Sequence, residues 1–189
     1  MLDRLRVRLD SYFLTLGRGF SRISPSPTAW TLVGLIAAIG AAWGFGGSGV
    51  SGERLGGVLL LVSGFFDIVD GSVARATGRI SKRGAFLDST LDRVAEVLVF
   101  LGILLGGYAE PRIVLLALSL SLLVSYTRAR GESLGASLSG VGVGERSERI
   151  LVVAFASIFG VVEWGVLLVF ILAGSTFVQR TITASRSLG

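Results

Sequence analysis

The chain has no cysteine and no histidine among its 189 residues, and only 16% of those residues are charged. The missing cysteines exclude disulfides, zinc–thiolate sites and thiol catalysis. The missing histidines mean that any metal ion has oxygen ligands, and that any general base is something other than an imidazole. Because a typical soluble domain has about 25% charged residues, the low charge content argues against a soluble fold.

Apolar residues make up 51% of the chain, which is more than a soluble core of this length can bury. We therefore predict an all-α integral membrane protein. The formal net charge is +5, and the basic residues punctuate the apolar windows. That pattern is typical of membrane topology, so the expected partner is the lipid bilayer and not a nucleic acid.

Six apolar windows follow one another along the chain, and each predicts a transmembrane helix. An amphipathic segment at residues 2–20 precedes them and predicts a helix on the membrane surface, with a solvated tail as the alternative. We expect one membrane domain over residues 1–189, with a six-helix bundle at 28–183. The six spans are predicted at residues 28–47, 55–77, 83–106, 111–129, 147–162 and 164–183.

Basic residues concentrate at one set of helix ends, whereas Arg54 and Arg112 lie at the other. Cytoplasmic loops carry the excess of positive charge, so we expect a multi-pass protein of the cell membrane with both termini in the cytoplasm. The last two predicted spans carry few polar residues and are candidates for the contact face of a homodimer.

Four carboxylates stand inside predicted spans, where an ionised Asp costs roughly 2.5 kcal/mol or more and is a functional candidate. Asp67 and Asp70 are three residues apart, and Asp88 and Asp92 are four apart, so each pair shares a helix face. If the two helices are antiparallel neighbours, Asp70 lies level with Asp88 and Asp67 lies nearly level with Asp92. Such a cluster indicates Mg²⁺ or Mn²⁺, with Ca²⁺ less favoured, and has room for two ions. The alternatives are an ion path, or carboxylates paired with arginines.

The residues around these carboxylates form a motif with fixed spacing: Asp67-x-x-Asp70-Gly71-x-x-Ala74-Arg75, eight residues, then Gly84-x-x-x-Asp88-x-x-x-Asp92. This motif resembles the signature of the CDP-alcohol phosphotransferase family. The resemblance implies that an alcohol attacks the β-phosphorus of a CDP-lipid, either CDP-archaeol or CDP-diacylglycerol, and that CMP leaves. Because the carboxylates lie near the predicted cytoplasmic ends of their helices, we expect the active site to face the cytoplasm.

The resemblance implies roles for individual residues. Asp67, Asp70 and Asp88 would hold one metal ion, Asp88 and Asp92 would help to hold a second, and Asp92 would be the catalytic base. Ordinary small-residue packing is the alternative for Gly71 and Ala74. At Thr28 the chain departs from the family, which usually has Asn or Asp there. The predicted CDP-lipid residues are Pro27, Thr28, Ala29, Trp30, Thr31, Asp67, Asp70, Gly71, Ala74, Arg75 and Ser81.

Four arginines near the ends of two later helices predict a site for a phosphate-bearing acceptor, although any one of them could be ordinary flanking charge. They are Arg128, Arg130, Arg146 and Arg149. These segments resemble the branch of the family that uses inositol 1-phosphate. Glycerol 3-phosphate remains an alternative acceptor. A cation transporter that uses the Asp cluster and a structural membrane protein with satisfied charges are alternatives of other classes.

Overall fold

The computed structural model describes the backbone of residues 2–189 and the side chains of residues 12–189. This part of the chain is helical and contains no strand, so the predicted all-α fold class is confirmed. The helices are α1 (Leu2–Ser21), α2 (Pro27–Gly46), α3 (Val50–Thr77), α4 (Lys82–Leu105), α5 (Pro111–Ser133), α6 (Arg146–Ile158) and α7 (Val162–Leu188).

Four of these helices, α2, α3, α5 and α7, are long and apolar enough to cross a membrane. Helix α4 has 24 residues but carries six charged side chains between Lys82 and Glu96. Helix α6 has only 13 residues, so it spans roughly 20 Å at about 1.5 Å per residue. The chain is therefore a helical membrane protein, and two of the six predicted spans differ from the others in charge or in length.

The predicted N-terminal helix is present as α1. The side chains of residues 2–11, which carry much of the predicted amphipathic pattern, lie outside the described residues. The end of α1 packs on the bundle, where the ring of Phe20 meets the ring of Trp30 edge to face at 4.9 Å. A Cβ added to Gly17 would collide with the carbonyl oxygen of Ser72, so glycine allows α1 and α3 to approach closely.

Helix α2 packs against both α3 and α4, whereas α3 and α4 do not pack closely on each other. We expected α3 and α4 to be direct neighbours, but each packs mainly on α2. A Cβ on Gly44 would lie 3.0 Å from the backbone nitrogen of Gly56, and one on Gly102 would collide with the carbonyl of Ala42. Such small-residue crossings are typical of membrane bundles. The separation of α3 from α4 leaves room for a cavity.

The remaining helices complete the bundle around this centre. Helix α3 also packs on α1 and α6, and α7 packs on both α5 and α6. The buried carboxylate of Glu53, near the start of α3, accepts a hydrogen bond from the backbone N–H of Val162 at 2.7 Å. Helix α3 therefore accommodates this charge near its start, and it begins at Val50 and not at residue 55 as predicted. Gly160, with φ of 74°, ends the α6 segment earlier than predicted.

The turn between α3 and α4 sets the relative position of the carboxylates. Gly78 follows α3 with φ of 65°, in the left-handed region that favours glycine. Ser81 then begins α4 as its N-cap, and its hydroxyl oxygen accepts a hydrogen bond from the backbone N–H of Gly84 at 3.0 Å. The short reversal brings the end of α3 and the start of α4 to the same end of the bundle.

Candidate active site

Three of the four predicted carboxylates meet between α3 and α4. Asp67, Asp70 and Asp88 each offer one carboxylate oxygen, and these oxygens lie within 4.8 Å of one another. Asp70 is 5% exposed, and the other two are half-buried. Their spacing along the two helices places them on the faces that look across the gap beside α2.

The charge of this cluster is incompletely compensated by the protein. One oxygen of Asp70 and one of Asp88 are buried and have no hydrogen-bond donor among the described residues. Buried carboxylates this close are unstable when ionised without a counter-charge. An all-oxygen donor set with orphaned lone pairs fits a hard divalent cation. The residues present therefore fit the predicted metal site.

Asp92 lies beside the triad and is held by arginine. The guanidinium of Arg146, at the start of α6, forms ion pairs with Asp67 Oδ1 at 3.0 Å and with Asp92 Oδ1 at 2.9 Å. Arg93 Nη1 is 3.4 Å from the other oxygen of Asp92. One guanidinium thus bridges two carboxylates, one on α3 and one on α4, and offsets part of their negative charge. Arg146 was predicted to bind the acceptor phosphate, and the structure places it directly on the carboxylates.

A cavity of ≈ 340 Å³, here called the α2–α4 cavity, opens next to the carboxylates. Eight residues of the predicted CDP-lipid set line it, together with Asp88. Arg79, Ile80, Gly84 and Ala85 also line it and were not predicted. The predicted residues at its wall are Pro27, Thr28, Thr31, Asp70, Gly71, Ala74, Arg75 and Ser81.

Gly71 faces the α2–α4 cavity and is not pressed against another helix. A Cβ added there would have Arg75 Nη1 as its nearest neighbour, at 3.5 Å, which is ordinary van der Waals contact. Helix packing therefore does not explain why the motif has glycine at this position. Arg75 is exposed and donates to Ser72 Oγ at 3.3 Å, so its guanidinium remains available at the cavity wall.

Three predicted CDP-lipid residues lie elsewhere than at the cavity wall. Asp67 lines a smaller space of ≈ 10 Å³ with Asp92 and Arg146. Ala29 is not among the residues of the cavity. The Trp30 ring is buried, stacks on Phe66 at 5.8 Å and donates its N–H to the Ser24 carbonyl oxygen at 3.0 Å. The stacking on Phe66 ties the start of α2 to α3, and the bond to Ser24 ties it to the segment before α2.

The predicted acceptor arginines separate into different surroundings. Arg128 donates to Glu132 Oε1 at 3.0 Å and lies 3.8 Å from Glu145 Oε1. Arg149 is buried and pairs with Glu96 at 2.9 Å. Arg130 is exposed and lines an apolar groove between α5 and α7. The structure thus brings Arg146 to the carboxylates and does not bring Arg130 or Arg149 there.

Arg180 and Glu96 are buried charged residues near the site that were not among the predicted site residues. Arg180, on α7, donates to the carbonyl oxygen of Val141 at 2.8 Å and to Glu145 Oε1 at 3.1 Å, so it anchors the loop before α6. Glu96, one helical turn after Asp92, is 7% exposed. The signal for both was present in the sequence, because ionisable residues inside apolar helices are functional or structural candidates.

Comparison with known proteins gives a consistent assignment. The family described as CDP-alcohol phosphatidyltransferase matches residues 24–177. A relative from Pyrococcus horikoshii, an archaetidylinositol phosphate synthase, is 37% identical over all of this chain and 98% of its own length. Both comparisons include the motif and the helices that carry it.

Solved structures of Mycobacterium tuberculosis phosphatidylinositol phosphate synthase have the same fold, at 27% sequence identity. The one with CDP-DAG bound has a TM-score of 0.76 and covers 91% of this chain and 92% of its own. The one in complex with manganese and citrate has a TM-score of 0.78 and covers 92% and 88%. The predicted family and enzyme class are confirmed, and the chain belongs to the CDP-alcohol phosphatidyltransferase family.

Proposed function

We propose that the protein transfers the phospholipid moiety of a CDP-lipid to a hydroxyl group of inositol 1-phosphate, with release of CMP. The observation that carries this proposal is the convergence of the Asp67, Asp70 and Asp88 oxygens within 4.8 Å beside a cavity lined by the family motif. The relatives named above make phosphatidylinositol phosphate or archaetidylinositol phosphate, which supports inositol 1-phosphate as acceptor.

The α2–α4 cavity is the proposed site of the CDP group. Gly71 and Ala74 let the nucleotide approach the backbone of α3, and Arg75 can form charge-assisted hydrogen bonds to phosphate. Arg79 adds a second cation to the wall, although it also donates to the Pro25 carbonyl oxygen at 3.2 Å. The structure favours Pro27, Thr28 and Thr31 over Ala29 and Trp30 as contacts from α2.

Asp67, Asp70, Asp88 and Asp92 are the proposed ligands for Mg²⁺ or Mn²⁺, with two ions expected. A bound divalent cation would offset the negative charge of the diphosphate and of the leaving CMP. The relative that was solved with manganese supports this choice of chemistry. The orphaned oxygens of Asp70 and Asp88 support it independently.

Asp92 is the proposed general base. As the acceptor oxygen forms a bond to the β-phosphorus, that oxygen's proton passes to the Asp92 carboxylate, and the bond from the β-phosphorus to the oxygen of CMP breaks. Arg146 Nη2 lies 2.9 Å from Asp92 Oδ1, and this ion pair helps to hold the carboxylate in position. Positioning of this kind supplies much of the usefulness of a weak base.

Arg146 and Arg128 are the proposed partners of the acceptor phosphate, and Arg180 orients them through Glu145. Arg128 and Arg180 both approach Glu145 Oε1, at 3.8 and 3.1 Å. A phosphate placed there would share these cations with the carboxylates. The same cations would serve glycerol 3-phosphate, which is the second candidate acceptor. Because the family is enzymatic, the cation-transporter alternative is set aside.

We also propose a single domain over residues 1–189, with six spans, α1 on the membrane surface, and both termini in the cytoplasm. The excess of Arg at one set of helix ends supports this topology. A homodimer is proposed as well. Exposed apolar side chains such as Trp164, Leu168 and Ile171 give α7 a surface that could pack on a second copy.

The acceptor is tested by measuring CMP release from purified protein with Mg²⁺ or Mn²⁺ and CDP-archaeol or CDP-diacylglycerol. Inositol 1-phosphate, glycerol 3-phosphate, serine and free inositol are compared as acceptors. The proposal predicts release with inositol 1-phosphate. Release with glycerol 3-phosphate alone would keep the mechanism and replace the acceptor, and no release with any acceptor would contradict the proposed function.

A further inference from the structure

A buried ion pair joins α4 to α6 next to the candidate active site and has no part in the chemistry described so far. Arg149 donates to Glu96 Oε1 from Nε at 3.2 Å and from Nη2 at 2.9 Å, and its Nη1 donates to the Gly144 carbonyl oxygen at 2.7 Å. Arg149 is 2% exposed and Glu96 is 7% exposed. Burying such a pair costs several kcal/mol per ion, so its presence calls for a reason other than stability.

The pair is in register with the contact between Arg146 and Asp92. Glu96 follows Asp92 by four residues on α4, and Arg149 follows Arg146 by three residues on α6, so the two contacts lie one turn apart on the same faces. Helices α4 and α6 are not closely packed on each other. The two stacked ion pairs therefore span a gap between these helices.

Two polar atoms in this gap have no partner among the described residues. They are Oε2 of Glu96, an acceptor, and Nε of Arg146, a donor, and both are buried. Glu96, Arg146 and Arg149 line one cavity of ≈ 20 Å³, together with the hydroxyl-bearing Ser63. A space of roughly 10–15 Å³ with two or more polar partners is enough for one water molecule.

We propose that one ordered water molecule bridges Arg146 Nε to Glu96 Oε2, and that the Glu96–Arg149 pair is thereby a positioning element for Arg146. The water accepts a hydrogen bond from Nε–H and donates one to the carboxylate. Nη1 and Nη2 of Arg146 already contact Asp67 and Asp92. The water would hold the remaining donor, Nε–H, on the opposite side of the guanidinium. This inference rests on the proposed function, in which Arg146 serves the acceptor phosphate and Asp92.

A purely stabilising pair would leave the affinity for the acceptor unchanged when it is removed. We therefore expect Glu96→Met with Arg149→Met, which removes both charges together, to raise KM for inositol 1-phosphate about tenfold, the size of one hydrogen bond to a charged group. KM for the CDP-lipid is expected to stay unchanged, because the α2–α4 cavity does not include either residue.

The matched control is Glu53→Gln, which alters a buried carboxylate at the other end of α3, about 21 Å along the helix from Asp67. This variant is expected to lower the melting temperature, because it weakens the hydrogen bond from the Val162 N–H, and to leave both KM values unchanged. An unchanged acceptor KM in the double variant, with an active wild type, would overturn the inference alone. A wild type that releases no CMP would instead overturn the proposed function.

A high-resolution experimental structure of the wild-type protein tests the water directly and does not depend on the folding of a variant. The inference predicts density for one water between Glu96 Oε2 and Arg146 Nε. A direct contact between these two atoms, or a dry cavity, would contradict it.

Discussion

At the scale of single residues, helix packing does not require a glycine at position 71, whereas a ligand in the α2–α4 cavity would. A Cβ on Gly71 meets no protein atom closer than 3.5 Å, whereas one on Gly102 collides with the Ala42 carbonyl. Gly71→Ala is expected to keep or raise the melting temperature, because Ala is favoured over Gly in helices by about 1 kcal/mol. It is expected to raise KM for the CDP-lipid roughly tenfold by crowding the cavity.

Gly102→Ala is the control for this substitution, because the same added methyl group meets backbone there. It is expected to lower the melting temperature by overpacking. Thermal unfolding in detergent and steady-state kinetics distinguish the two variants. If Gly71→Ala destabilises the protein as much as Gly102→Ala does, the glycine of the motif serves packing.

Asp92→Asn tests whether Asp92 acts as the general base while the other three aspartates are sufficient to bind a metal ion. The triad of Asp67, Asp70 and Asp88 stays intact in this variant, so Mn²⁺ binding is expected to persist at one site at least. CMP release is expected to fall by a factor of about 10²–10⁴, the usual contribution of a positioned base. Mn²⁺ binding followed by electron paramagnetic resonance, together with the rate of CMP release, checks both parts. Full activity of the folded variant would remove Asp92 from the role of base.

The four aspartates could be predicted from the sequence because a carboxylate inside an apolar helix is costly wherever the helix packs. The surroundings of Trp30 and Arg149 could not, since a side chain's partner depends on which helix lies opposite. Trp30 has the ring of Phe66 as its partner, and Arg149 has the carboxylate of Glu96. The sequence shows positive charge at Arg149 but not the acid 53 residues away that neutralises it.

At the scale of helices, the docking of α1 depends on one position without a side chain. Gly17 lies against the Ser72 carbonyl, and Gly19, two residues later, has nothing within 4 Å. Gly17→Ala is expected to weaken the packing of α1 on α3 by about 1–3 kcal/mol. Faster hydrogen exchange at residues 12–21 reports this weakening. Gly19→Ala is the control and is expected to exchange like the wild type; equal exchange in both variants would contradict the packing.

At helix ends marked by proline or glycine, the boundary could be predicted closely. It was predicted less well where a residue near the end is stabilised by a contact with a distant part of the chain. Pro111 begins α5 as predicted, and Pro27 begins α2 one residue before the predicted start at 28. The start of α3 was predicted five residues late. A charged Glu53 suggests that the apolar span has not yet begun, and the sequence does not show that the backbone N–H of Val162 is its hydrogen-bond partner. The packing of α3 and α4 on α2, and not closely on each other, is likewise set by tertiary structure and is not visible in the local sequence pattern.

At the scale of the whole molecule, the proposed topology can be tested on a chain that has no native cysteine. Single cysteines replacing Ser48, Ser137 and Ser187 lie at exposed positions. Six spans predict that Ser137→Cys and Ser187→Cys react with an impermeant thiol reagent from the cytoplasmic side, and that Ser48→Cys reacts from the opposite side. The unsubstituted protein gives the background. Labelling of Ser187→Cys from the same side as Ser48→Cys would contradict six spans.

The identity of the lipid product tests the central claim most directly. Purified protein is incubated with a divalent cation, CDP-archaeol or CDP-diacylglycerol, and inositol 1-phosphate, and the lipid is analysed by mass spectrometry. The account predicts a phosphodiester that joins the lipid to inositol 1-phosphate, formed in equal amount to CMP. CMP release with free phosphatidic or archaetidic acid as the only lipid product would show hydrolysis in place of transfer and would contradict it.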